Sequence, residues 1–300
     1  MNPFFSVVIP TYNRADILSR SIDSVLSQTC QNFELIIIDN GSTDGTEQWL
    51  SDNYQDDKIV YHYQEGSGSP ASPRNVGIFL SKGQWVCFLD SDDAWSENKL
   101  QNVFDTINNN IDVDVICHNE NIYYETTDSV GKVMKYGPSS NNMYKEMLIL
   151  GNRLSTSATS VRNEFLRGNS LKFNESDDFA TVEDYDLWLN LARNKAKFEF
   201  IPKSLGFYTI GRENMIFSSG MYCANLETLL KQHAYDIQKF EKNKENLWGV
   251  MQIRINICQI RYVRSSSFLK MPYIVMLFFQ HPFYFLVFLY GYLKIKAQLF

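Results

Sequence analysis

The stretch Trp85-Val-Cys-Phe-Leu-Asp-Ser-Asp-Asp93 runs five apolar residues directly into three carboxylates. An apolar run without alternation reads as a strand buried on both faces, as in a parallel sheet sandwiched between helices. Outward from it the same grammar repeats. Phe5-Ser-Val-Val-Ile-Pro10 is a short β-branched run ended by Pro10, and Phe33-Glu-Leu-Ile-Ile-Ile-Asp39 is a nearly continuous apolar strand. Lys58-Ile-Val-Tyr-His-Tyr63 is another. Between them Leu18, Ile22, Val25 and Leu26 recur at helical spacing, a helix passes through Trp49 and Leu50, and one more through Val76, Ile78, Phe79 and Leu80. Strands alternating with helices predict right-handed crossovers and an α/β fold: a Rossmann-like, mostly parallel sheet flanked by helices.

The middle of the chain is less regular. Val113-Asp-Val-Ile-Cys117 and Ser157-Ala-Thr-Ser-Val161 read as strands, with further strand candidates around Tyr123 and Val133. A helix is expected around Met147, Leu148 and Leu150, and another over 182–192, with Leu187, Trp188 and Leu191 on its apolar face. After about Ser218 the pattern is helical. The expected organisation is an α/β domain over 1–215 and a helical C-terminal region over 216–300.

The 300 residues carry a net charge of −6, which offers no basic face for nucleic acid. Cys30, Cys87, Cys117, Cys223 and Cys258 are scattered without a CxxC pair, which argues against a disulfide framework and against a zinc site. Met1-Asn-Pro-Phe-Phe5 lacks the charged start and apolar run of a signal peptide, so a cytosol-facing location is expected. From Met271 to Leu293 there is no Asp, Glu, Lys or Arg, while Arg261, Arg264 and Lys270 precede the stretch and Lys294 and Lys296 follow it. Gln280, His281 and Pro282 interrupt it. Two short amphipathic helices lying in the membrane interface fit at least as well as a span. The segment 271–293 is therefore a candidate for membrane association.

In open α/β sheets, ligands bind beyond the carboxyl ends of the strands. Three polar clusters fall there: Thr11-Tyr12-Asn13 after Pro10, Asp39-Asn40, and Asp90-Ser91-Asp92-Asp93. Three crowded carboxylates repel one another unless a cation or water separates them, and hard oxygen ligands suit magnesium or manganese. The plainer alternative is a solvated turn ahead of a helix, with Ser96 as its N-cap. Asp39 is suited to accept the imide N–H of uracil while Tyr12 stacks on its face; equally, Asp39 can open an Asx turn. Arg74, after the loop Gly66-Ser-Gly-Ser-Pro-Ala-Ser-Pro73, can meet phosphate or form a surface ion pair.

Taken together, these segments resemble the family 2 glycosyltransferases. The matching stretches are Ser6-Val-Val-Ile-Pro-Thr-Tyr-Asn-Arg14, Ile36-Ile-Ile-Asp-Asn-Gly-Ser-Thr-Asp-Gly-Thr46, Pro73-Arg-Asn-Val-Gly77, Phe88-Leu-Asp-Ser-Asp-Asp93 and Val182-Glu-Asp-Tyr-Asp-Leu-Trp-Leu189. The resemblance covers about two-thirds of the chain and implies an A-type glycosyltransferase fold, with 1–215 as the nucleotide-sugar-binding catalytic domain. It implies inverting transfer of a sugar from a nucleotide diphosphate, a UDP-sugar foremost, to an acceptor hydroxyl. Pro10, Thr11, Tyr12, Asn13, Asp39 and Arg74 would then contact the nucleotide, and Asp90 and Ser91 its diphosphate. Asp92 and Asp90 would hold a divalent metal, Mn or Mg, with Asp93 shaping the turn. Asp184 would be the general base, flanked by Glu183 and Trp188, although acidic residues at a helix start need no such role.

Two departures stand out. Asn40 occupies a position where the family often has a second Asp, and Ser72-Pro73 precedes Arg74 where Ala often stands. The Gln-x-x-Arg-Trp signature of processive synthases is absent, so addition of a single sugar is expected. The acceptor would be a glycan or lipid-linked saccharide, in bacterial-type surface polysaccharide or glycolipid assembly on the cytoplasmic side of the plasma membrane. Competing expectations are an inert nucleotide-sugar-binding module at a membrane complex and an Asp-nucleophile phosphatase. Ala94 weakens the latter, since that motif wants Thr or Val there.

Overall fold

A computed structural model describes residues 2–110, 112–211 and 220–240, together with Leu286 and Leu289. The first half alternates as expected: β1 (Phe5–Thr11), α1 (Leu18–Leu26), β2 (Phe33–Asp39), α2 (Thr46–Asn53), β3 (Ile59–Tyr63), α3 (Ala71–Leu80) and β4 (Trp85–Phe88). There follow β5 (Ala94–Trp95), α4 (Lys99–Asn109), β6 (Val115–Tyr124), β7 (Ser129–Met134), α5 (Met143–Leu150), β8 (Thr159–Arg162), α6 (Asn163–Gly168), α7 (Glu183–Arg193), β9 (Phe198–Ile210) and α8 (Gly220–Phe240).

The strands form one sheet in the order β3-β2-β1-β4-β8-β6-β9-β5, with β7 added on β6. Pairings among β3, β2, β1 and β4 are all parallel. Beyond β4 the sheet is mixed: β8 runs antiparallel to β4 and β6, β9 parallel to β6, and β5 antiparallel to β9. The α/β class is as expected, with its purely parallel part confined to the N-terminal half. The β1–β2 register places Thr11 opposite Asp39. Chain order reverses at β1, with β2 on one side and β4 on the other, which opens a crevice at the carboxyl edge.

Alternation along each strand divides the core in two. Val7, Ile9, Leu35 and Ile37 face a layer containing Leu18, Ile22 and Val25 of α1 and Leu100, Val103 and Ile107 of α4. Val8, Val86 and Phe88 face the opposite layer, which holds Ile78 of α3, Met147 of α5, Trp188 of α7 and Leu226, Leu229 and Leu230 of α8. The described part of the C-terminal helical region thus shares the α/β core; the boundary at 215 lies outside the described residues. A Cβ at Gly77 would stand 2.2 Å from Val8 Cγ1, so glycine is what lets α3 lie close on β1.

Two local expectations are corrected. Ser96 does not cap α4: the helix starts at Lys99 behind Asn98, and Ser96 spends its backbone N–H on the Leu205 carbonyl. The long strand β9 carries Pro202 and Gly206, which hid it from the sequence pattern; Pro202 falls where the pairing with β6 slips, between His118↔Ile201 and Asn119↔Ser204. The segment 271–293 lies outside the described residues except for Leu286 and Leu289. Among the described residues, no helix is long and apolar enough to cross a membrane.

Candidate active site

A cavity of about 890 Å³ opens at the carboxyl edge of the sheet. Its lining includes Pro10, Thr11, Tyr12, Arg74, Asp90, Ser91, Asp92, Asp93, Glu183 and Asp184, residues that the sequence spreads over nearly two hundred positions. Parallel strands β1 and β4 and the loops that follow them deliver seven of these, the first turn of α3 delivers Arg74, and the start of α7 delivers Glu183 and Asp184.

The acidic loop is built from several sides. Asp93 is buried: its Oδ2 accepts from Ser157 Oγ at 2.6 Å and its Oδ1 from the Thr209 backbone N–H at 2.8 Å. Burial, and then the neighbouring Asp92, pushes its carboxyl well above the usual carboxylate range. Asp93 therefore anchors the loop to the segment ahead of β8 and to β9. The Ser91 carbonyl accepts from Ser21 Oγ at 2.6 Å, and the Asp92 carbonyl accepts from the Arg20 guanidinium. With its backbone fixed, the loop presents two carboxylates. Asp92 Oδ2 takes Arg14 Nη1 at 3.1 Å, and Asp90 Oδ1 takes Arg74 Nη2 at 2.6 Å. Burial, then repulsion from Asp90, raises the Asp92 carboxyl, with Arg14 opposing.

Arg74 is the link between the two acidic segments. It lies in the first turn of α3, is 5 % exposed, and donates to Asp90 and, through Nη1 at 2.8 Å, to Glu183 Oε1. Burial works against its charge, but Asp90 and Glu183 outweigh that and hold the guanidinium more firmly protonated than usual. The surface ion pair envisaged for Arg74 is instead a buried one. Glu183 is raised to about 7 by burial, against the pull of Arg74.

Asp184 differs in its company. Its Oδ2 accepts from Asn152 Nδ2 at 3.1 Å and from Thr156 Oγ1 at 3.5 Å, and its Oδ1 from the Tyr185 backbone N–H at 2.6 Å. Burial raises its carboxyl, and the Arg74 charge holds it back. A carboxylate facing a cavity, held by neutral donors and raised toward neutrality, has the properties of a general base.

The nucleotide-side residues divide. Tyr12 is exposed at the cavity and free to offer a ring face. Thr11 Oγ1 and Arg74 Nε are buried at the cavity without a partner among the described residues, which leaves polar groups for a ligand to satisfy. Asp39 is fully buried below this surface, accepting from the Ser42 N–H at 2.8 Å and Tyr61 Oη at 2.9 Å, so its side chain holds the Asn40-Gly41 bend, through the N–H three residues on rather than the two of an Asx turn. Asn13, at φ +50°, donates its backbone N–H to Ser42 Oγ, accepts from the Thr43 N–H on its Oδ1, and does not line the cavity. Trp188 is corrected outright: it is completely buried, its ring set against Phe88 and Phe173 in the core.

Asn40 has a role that sequence reading missed. Its Oδ1 accepts from Gln64 Nε2, Ser67 N and Ser67 Oγ at 2.7, 3.1 and 3.0 Å, which binds the Gly66–Ser69 loop to the end of β2. Gly41 makes this possible: at φ +86°, a Cβ there would meet Gly66 N at 2.7 Å. Arg14, Arg20, Ser157 and Asn152 were also not singled out. Only Arg14 carried a local signal, directly after Thr-Tyr-Asn13.

The donor set fits a hard divalent cation. Asp90 and Asp92 offer carboxylate oxygens at the cavity, and each is neutralised by an arginine, as a crowded pair without a cation requires. Among the described residues no group of three or more His, Cys, Asp or Glu is assembled for a metal. Two carboxylates plus substrate phosphates is the arrangement magnesium-type ions accept.

Fold and cavity together define an α/β protein with a cleft beside an acidic loop at the carboxyl edge of its sheet. The chain belongs to glycosyl transferase family 2, whose sequence model matches residues 6–166. It is 30 % identical over 264 residues to an uncharacterized glycosyltransferase of Rickettsia bellii, covering 83 % of this chain and 36 % of that one. It is 32 % identical over 151 residues to the glycosyltransferase GlyG of Streptococcus pneumoniae, covering 50 % and 48 %. The chain thus spans half or less of the length of these relatives. Among solved structures, the fold resembles residues 1–349 of TarS from S. aureus, with TM-score 0.65 and 21 % identity over 89 % of this chain and 74 % of that one. TarS has been solved with UDP and with UDP-GlcNAc. A mannosyltransferase of Pyrobaculum calidifontis in complex with GDP-Man and Mn2+ matches with TM-score 0.57 and 14 % identity, over 99 % and 88 %. Family membership sets aside the phosphatase expectation.

Proposed function

We propose that this chain transfers one sugar from a nucleotide-diphosphate sugar, a UDP-sugar foremost, to an acceptor hydroxyl with inversion at the anomeric carbon. The observation that carries this reading is the shared cavity, lined by both the Asp90–Asp92 pair and Asp184, the latter held only by neutral hydrogen-bond donors. Tyr12 and Thr11 would receive the nucleoside. Asp90 and Asp92 would hold a divalent cation, which when bound supplies charge neutralisation to the departing diphosphate. Asp184 takes the acceptor proton as the acceptor oxygen bonds to the anomeric carbon. The bond to the diphosphate oxygen breaks at the same centre and its electron pair leaves with the nucleotide. A base opposite the leaving group gives inversion. Asn152 and the Tyr185 N–H fix the base in orientation, and its raised affinity for protons favours the transfer.

A panel of nucleotide sugars incubated with manganese and saccharide acceptors tests this through release of nucleoside diphosphate. Release from one donor class supports the proposal. Binding without turnover across all donors and acceptors would instead make the chain an inert module.

The acceptor reading is a glycan or lipid-linked saccharide, in surface polysaccharide or glycolipid assembly on the cytoplasmic face of the plasma membrane. It rests on the charge-free segment 271–293 and its basic flanks. Full-length chain should sediment with membranes and a truncation after Lys270 should not. Full-length chain in the soluble fraction without detergent would count against it.

A further inference from the structure

The first turn of α7 carries Glu183, Asp184 and Asp186. At 100° per residue, Asp184 and Asp186 point about 200° apart, so one faces the cavity and the other the helices behind it. Asp186 is 5 % exposed, and its Oδ1 meets His233 Nε2 of α8 at 3.0 Å. The far nitrogen of that ring, Nδ1, meets Tyr144 Oη of α5 at 3.0 Å, with the two rings 5.7 Å apart. Asn190 Nδ2 donates to Asp186 Oδ2 at 3.1 Å. An ionised carboxylate only accepts, so Nε2 carries a proton, and in the neutral ring Nδ1 takes that of Tyr144. This buried chain joins three helices through one imidazole. A second tie runs alongside: Asn225 Nδ2 of α8 donates to Thr181 Oγ1, on the cavity wall just ahead of α7, at 3.3 Å.

We propose that His233 is a positioning residue for the base: by holding Asp186 from behind and bracing on Tyr144, it fixes the turn that aims Asp184 into the cavity. The inference rests on the reading of Asp184 as base. It gives α8, which lies outside the family-matched residues 6–166 and lines the cavity with Tyr222, a part in positioning the base. The apolar packing of Leu226, Leu229 and Leu230 already attaches α8 to the core, so the polar chain is not needed merely to dock it. An imidazole between two buried partners supplies direction, which apolar contact does not.

The test compares full-length wild type, His233→Leu, His233→Gln, Tyr144→Phe, Asp186→Asn and the His233→Leu/Asp186→Asn double variant. Three readings are taken: turnover of the best donor of the panel with manganese, UDP binding by calorimetry, and hydrogen exchange of the peptide spanning 183–187. The expected result for His233→Leu is a roughly tenfold fall in kcat, with KM for the donor and UDP affinity within twofold, and exchange at 183–187 about tenfold faster while β1 and β2 are unchanged. Gln, whose amide can donate where Nε2 does, should restore most of the loss, Tyr144→Phe should give a smaller change in the same direction, and the double variant should be no worse than the poorer single. Unchanged kcat and exchange in folded His233→Leu would overturn the proposal. So would a parallel loss of kcat and UDP binding that Gln does not rescue, which marks general destabilisation. Should wild type turn over no donor, the transferase reading falls on its own, and the exchange comparison still decides whether His233 holds the turn.

Discussion

Two acidic segments meet in the cavity, and they differ in what partners their carboxylates. Each has three carboxylates within four residues: Asp90, Asp92 and Asp93 in the loop, and Glu183, Asp184 and Asp186 at the start of α7. Each buries one of them as an anchor, Asp93 on Ser157 and Thr209, Asp186 on His233 and Asn190. The remaining pairs part company. Both loop carboxylates face a guanidinium, a cationic partner that a metal ion can replace. In the helix, Arg74 takes Glu183, while the hydrogen-bond partners of Asp184 are an amide, a hydroxyl and a backbone N–H. A guanidinium can give up its carboxylate to a metal ion, whereas the hydrogen-bond donors on Asp184 bring no cation to be exchanged. Arg74, spanning Asp90 and Glu183, keeps the two segments in register.

Substitutions can break that contrast in order of size. Asp92→Asn should remove manganese-dependent UDP binding and lower turnover by about a thousandfold or more, since the leaving diphosphate loses its counter-charge; calorimetry with and without manganese reads it. Arg74→Met should come next, at about a hundredfold in turnover, because a positioning link is lost. It should also cost about 3 kcal/mol in urea unfolding, as Glu183 is left buried without its partner. A smaller effect is read in pH. The base works deprotonated, and burial raises both Asp184 and Glu183, so kcat/KM should climb about tenfold per unit and level off above the ordinary carboxylate value of about 4. A limb at or below 4 would mean that another group is the base. The smallest effect on chemistry belongs to Trp188→Ala: about 3–5 kcal/mol of stability, with turnover per folded molecule unchanged, because the ring is core.

Much of the loop segment was readable in advance, because the chain states it locally. An apolar strand ending in Asp-x-Asp is continuous in sequence, and the strand that brings Thr11 beside it, though distant along the chain, is legible from its own apolar run. The α7 segment was readable only as a motif. Its working parts depend on partners far along the chain: Arg74 reaches Glu183 across 109 positions, and Asp186 reaches His233 across 47. Trp188 was read both as part of an apolar helix face and as a flank of the site; only the first holds, because an aromatic beside an acidic motif looks the same whether it turns to the cavity or to Phe173. Asn40 looked like a weakened Asp; its value as a neutral side chain that both donates and accepts emerged only with the Gly66–Ser69 loop folded against it. Strand β9 escaped because the bulge that accommodates Pro202 is set by β6, not by its own sequence.

The most direct test of the account separates binding from chemistry at Asp184. Asp184→Asn keeps size, exchanges one acceptor oxygen for an NH2 and cannot take a proton, so with the active donor and manganese it should bind UDP within twofold of wild type while turnover falls by about 10²–10⁴. Turnover within a few fold of wild type, with binding intact, would contradict the assignment of Asp184 as the base.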